Sequence, residues 1–258
     1  MIGLLAFGTF IYLNLREPPE TVNSQFAEWD KYLEEYVEPP FEDIPYFIMQ
    51  TGAEYHSDLV NPLGKLENYL AEPEKAAIML GVYMADVEYV ALYDKTQETM
   101  EYFLACQQLA DRVGVTAGFG SPTGRTGVPE IQNWDSLSFL LDRAMEQVIN
   151  CKVTPDSSSC ALVLTSTFLE GLYLSTSIID TYPGSAPHRI QILTPLISLV
   201  LGQASAIPVL LSELEKADQT TRVKSLIKGL QSLQNEYALL EGLREKIIKG
   251  GSASSLDK

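Results

Sequence analysis

Apolar residues recur three and four positions apart along most of the chain, and no stretch alternates with period two for long enough to make a sheet. After Ser24, a helix-capping residue, Phe26, Trp29, Leu33, Tyr36 and Val37 follow this helical spacing until Pro39-Pro40 stops it. Positions 41–72 read as irregular, with short helical turns near 46–49 and 66–70 between Pro45, Gly52, Pro62 and Gly64. Pro73 suits a first helical turn and opens a long helix to Tyr93, apolar almost all round and therefore central. A second, amphipathic helix from about Thr96 to Val113 ends at Gly114, and the two are expected to form an antiparallel hairpin.

Gly114, Gly118, Gly120, Pro122, Gly124, Gly127 and Pro129 then break the pattern, so 114–132 reads as a flexible loop. It carries neither GxGxxG nor GxxxxGK[ST] and follows no strand, so a linker fits better than a phosphate cradle. Asn133 or Asp135 caps a helix to about Ile149, and a polar loop covers 152–159. Positions 161–179 form a helix whose only charge is Glu170, and 190–212 carry no charge, with Pro195 and Pro208 expected to kink or split the helix. The last helix, about 220–248, lines up Val223, Leu226, Leu230, Leu233, Tyr237, Leu240, Arg244 and Ile247 for coiled-coil-like packing. The fold class is all-α: a multi-helix bundle with antiparallel helical hairpins, plus an N-terminal hydrophobic helix. Its expected parts are an apolar segment 1–16, a helical and irregular region 17–72, a bundle 73–249, and a disordered tail 250–258.

Composition changes this picture in two ways. A net charge of −16 and a pI near 4.5 repel nucleic acid, and they equally repel anionic lipid, so membrane attachment must be hydrophobic. The uncharged MIGLLAFGTFIYLNL at the start supplies such an attachment, although it is shorter than the about 20 residues of a full span and lacks a basic flank. It reads as an anchor, an uncleaved leader, or the remainder of a longer start; the bland alternative is a buried core helix. Segments 161–179 and 190–212 are also long enough to span. Their Ser/Thr content, Glu170, glutamines and prolines instead favour interior helices of a water-soluble body.

Three cysteines form no metal motif. Cys151 and Cys160 flank the 152–159 loop and could close it as a disulfide in an oxidising compartment; two thiols are the alternative. Neither His56 nor His188 has a glutamate three residues before it, which removes the di-metal carboxylate bundle; no metal or cofactor is expected. The residues that demand explanation are acids in apolar helices. Asp86 and Glu88 sit roughly 200° apart on one helix, so they cannot share a solvent strip. Glu170 has no other charge nearby in its own helix. Each must be paired, protonated, hydrogen-bonded or lining a cavity, and Tyr83, Tyr89, Tyr93 and Tyr173 offer hydroxyls. A satisfied polar network, an interhelical ligand pocket and an acid–base pair are the three possibilities, and no companion nucleophile supports the last.

The stretch Gly52-Ala-Glu-Tyr55, Asn61-Pro62, Leu80-Gly-Val-Tyr-Met-Ala-Asp86-Val-Glu-Tyr89, Tyr93, Gln97, Leu109-Ala110 and Gly114-Val115 resembles a known pattern. So do Asn133-Trp-Asp-Ser-Leu137 and Phe168-Leu-Glu-Gly-Leu-Tyr173. The pattern is that of uncharacterised helical envelope lipoproteins and secreted proteins, common among Bacteroidetes and related bacteria, with LGVYxxDLxY and WIEGLY segments. The resemblance spans about two thirds of the chain. It implies an all-helical extracytoplasmic body on the periplasmic side of a bacterial envelope and brings no activity with it. The family's acylated cysteine has no counterpart here, and the 114–132 loop is richer in glycine. The expected function is a non-enzymatic, membrane-anchored accessory or scaffold subunit whose partners are other protein subunits and the membrane, not nucleic acid. A periplasmic small-molecule binder or sensor with a pocket near Asp86 and Glu170, and an unrecognised hydrolase, are the alternatives.

Overall fold

The computed structural model describes residues 44–115, 143 and 157–253, with backbone only for 157 and 242–253. The apolar segment 1–16, the helices expected at 24–37 and 133–149, positions 116–132, Cys151 and 254–258 lie outside the described residues. Among the described residues every regular element is helical and none is a strand, which makes this an all-α protein. In chain order these are α1 (Ile44–Gln50), α2 (Leu66–Leu70), α3 (Pro73–Ala91), α4 (Thr96–Val113), α5 (Ser157–Thr181), α6 (Arg189–Gly202), α7 (Ala206–Lys216) and α8 (Thr221–Ala253).

Local chemistry sets the boundaries. Pro73 stands at the start of α3, where its missing N–H costs nothing. Asp94 takes a left-handed backbone (φ +55°) in the short α3–α4 turn, a conformation aspartate tolerates. At the end of α4, Gly114 adopts φ +83° and donates to Asp111 O, while Val115 N–H donates to Ala110 O. This is the glycine-terminated helix end that the sequence indicates, and buried Val115 seals it.

Pro195 does not end a helix: α6 continues through it. The break comes instead at the 3-10 turn Gln203–Ser205. Pro208 falls in the first turn of α7, where amides have no intrahelical acceptor to lose. α8 runs to Ala253, past the expected end near 248 and into the glycine-containing tail, because adding residues to a formed helix is far easier than nucleating one.

The chain groups into two units interleaved in sequence. In the first, of described residues 44–53, 175–207 and 228–253, α1 packs against α6. There the Tyr182 hydroxyl donates to Thr51 O (3.1 Å) and the buried Tyr237 hydroxyl to Val200 O (2.6 Å). The second unit, of described residues 54–115, 143, 157–174 and 208–227, is built on the α3–α4 hairpin, with α2 packed on both helices. The first part of α5 meets α3 at Gly81, where an added Cβ would run into Val163 O and stand 2.9 Å from Ser166 Cβ and Thr167 N. Glycine is therefore required there by closeness of approach. The hydroxyls of Ser166 and Thr167 are satisfied within α5, bonding Leu162 O (2.7 Å) and Val163 O (3.0 Å). At the start of α3, Arg222 pairs with Glu72 and Glu74 at 2.7 Å each, and Lys75 with Glu72 at 2.6 Å.

The two long apolar stretches differ in burial. Over the hydrophobic window of 158–181, 72% is buried, as suits an interior helix, against 39% for 189–216.

Candidate functional site

The close α3–α5 contact places an acid from each helix in the same region of the second unit. Asp86 lies a little over one turn after Gly81, and Glu170 one turn after Ser166. The two are joined by a residue from the irregular segment before α2. Asn61 donates its backbone N–H (3.0 Å) and side-chain amide (3.3 Å) to Asp86 Oδ2, and the same amide reaches Glu170 Oε1 at 3.0 Å. Asp86 is fully buried, and its other oxygen, Oδ1, has no hydrogen-bond partner among the described residues. Glu170 is half-buried.

The Tyr83 and Tyr89 hydroxyls, which the sequence offers as one set of partners for these acids, do not bond Asp86 or Glu170. They hold the backbone of the same segment instead. Tyr83 donates to Pro62 O (3.0 Å), Tyr102 to Asn61 O (2.6 Å), and Tyr89 accepts from His56 N–H (3.0 Å). Tyr55 donates to Glu98 Oε1 (2.7 Å), and the rings of Tyr55, Tyr89 and Tyr93 pack with centroids 5.2–5.6 Å apart. Lys95 Nζ lies 5.2 Å from the Tyr55 ring centre.

Of the seven positions singled out, Tyr83, Asp86, Tyr89, Tyr93 and Glu170 therefore belong to one layer around residues 55–62. Glu88 does not join Asp86, its half-buried side chain lying on another face of α3, and Tyr173 is exposed (44%). Asn61, Tyr55 and Tyr102 complete the layer without having been marked as site residues. The available signal was the apolar pair Leu59-Val60 directly before Asn61-Pro62: both are buried, so the segment is packed down rather than solvated.

Burial raises the Asp86 carboxyl to about 7, against the opposing pull of the two Asn61 hydrogen bonds. Burial, and then the neighbouring Asp86, raise Glu170 to about 8, again opposed by Asn61. The tyrosines 55, 83, 89, 93 and 102 are raised chiefly by burial and stay neutral, as does the buried free thiol of Cys106. Cys160 is disulfide-bonded, and Cys151 lies outside the described residues. Among the described residues no group of three or more His, Cys, Asp or Glu is placed to hold a metal ion. No family model, curated protein or solved structure matches the chain.

Proposed function

We propose that the chain is a non-enzymatic helical body, held at a bacterial envelope membrane by its N-terminal apolar segment, that serves as an accessory or scaffold subunit of a larger assembly. The observation that carries the reading is how Asp86 and Glu170 are used. Both are bonded to Asn61, and the surrounding tyrosines bond the adjoining backbone, so the polar groups of this layer fasten one chain segment to three helices. Acid–base catalysis would instead need both carboxyls free to reach a substrate. The disulfide at Cys160 fits an oxidising, extracytoplasmic compartment. The acidic surface argues for protein partners and a hydrophobic, not electrostatic, membrane attachment.

Cross-linking the full chain in its native membranes, followed by purification, tests the proposal. Other subunits are expected in fixed ratio to it. A chain recovered only as a 28.6 kDa monomer would contradict the scaffold role.

One observation favours a second reading, a small-molecule binder: Asp86 Oδ1 is buried with an unused acceptor. That reading requires a compound to co-purify with the wild-type chain and to be lost from Asp86→Asn.

A further inference from the structure

We propose that Asp86, Asn61 and Glu170 form a proton-operated latch that fastens the 56–62 segment onto α3, α4 and α5, closed while the acids hold protons and opened when both are ionised. The geometry makes the charge state decisive. Two acids on different helices depend on one side-chain amide, 3.3 Å from the first and 3.0 Å from the second. Among the described residues, no cation is one of the groups that act on either carboxyl, and Lys95 lies over the Tyr55 ring instead. Asp86 interacts with Tyr55 just before the segment, Tyr83 on its own helix, Tyr102 and Cys106 on α4, and Glu170 on α5, all of them neutral or acidic. Further acids act on the same surroundings: Glu98 on Tyr55 and Tyr102, Asp58 on Tyr89, and Glu88 on Cys106.

Like charges confined this closely favour holding a proton. The buried Oδ1 of Asp86, unpartnered among the described residues, is where a proton removes an uncompensated charge at least cost. The raised ranges of both carboxyls agree, and they place the transition between neutral and mildly alkaline pH.

Ionisation of both acids strains the site, and the segment is the part that can yield. It has no regular structure between Ala53 and Leu63, so no helix must break to free it. Its polar ties are the bonds at His56, Asn61 and Pro62. Lifting it admits water to both carboxylates while leaving the hairpin in place. The occupant of the acids is thus a proton, and the output is the exposure of residues 56–62 and of the tyrosine layer beneath.

Hydrogen exchange on the full chain between pH 6 and 9, corrected for base catalysis, reads the latch directly. Protection of the 54–65 amides is expected to fall about tenfold or more across that range while 223–237 in α8 holds its protection. In Asp86→Asn/Glu170→Gln, where neutral amides replace the acids, the profile is expected to be flat. Constant protection in the wild type, or an equal fall in the double variant, would overturn the proposal. Should the double variant not fold, infrared spectra of the wild type decide. A protonated-carboxyl band present at pH 6 and lost by pH 9 supports the latch, and its absence at pH 6 refutes it.

Discussion

Asn61 is the residue on which the interior of the second unit turns. Its backbone and side chain together make three donations to two acids, and its carbonyl accepts from Tyr102. Asn61→Ala removes both side-chain donations and leaves acids with unmet acceptors, which should cost about 2–3 kcal/mol of stability in urea unfolding. Asn61→Asp should cost more at pH 8 than at pH 5, since it adds a third acid to the pair. Two glycines give an opposed pair of expectations. Gly81→Ala forces α3 and α5 apart against backbone and should destabilise by about 1–3 kcal/mol. Gly229, within α8, has nothing within 4 Å of an added Cβ, so Gly229→Ala should stabilise by about 0.5–1 kcal/mol. A urea midpoint that rises for Gly81→Ala as it does for Gly229→Ala would show that the α3–α5 contact is not the tight one described.

At the scale of elements, the acids tie α3 and α5 to a segment that has no helical stability of its own. The linkage has a definite sign. Asp86 and Glu170 start from 3.8 and 4.5 and rise in the folded chain to about 7 and about 8. Between those limits the folded state binds more protons than the unfolded one, so their contribution to stability declines as pH rises and is lost fully above about 8. Urea unfolding at pH 5 and pH 9 should therefore differ by several kcal/mol in the wild type and by much less in Asp86→Asn/Glu170→Gln.

The α3–α4 hairpin was legible in the sequence because Pro73 and Gly114 are unambiguous at helix ends. The break at 203–205 was not, since proline looks like a breaker wherever it occurs and only the three-dimensional register shows that Pro208 sits in a first turn. Asp86 and Glu170 stood out as charges in apolar runs. Asn61 did not, because an asparagine before proline in an irregular stretch reads as an ordinary turn residue. Helical spacing could show that Asp86 and Glu88 diverge, but not which of them faces inward.

For the whole molecule, the decisive matter is whether the long apolar helices belong to a water-facing body or to the bilayer. The Ser/Thr hydroxyls of α5 that bond Leu162 O and Val163 O, its contact with Gly81, and the 72% burial of its hydrophobic window fit an interior helix. The 39% figure for 189–216 leaves more apolar surface there, so this stretch is the stricter test. In the proposed function, membrane attachment rests with the apolar first sixteen residues. The direct measurement is size-exclusion chromatography with circular dichroism on a chain beginning at residue 20, purified without detergent. A monodisperse, strongly helical species in plain buffer is predicted; a chain that stays in solution only with detergent would contradict the account.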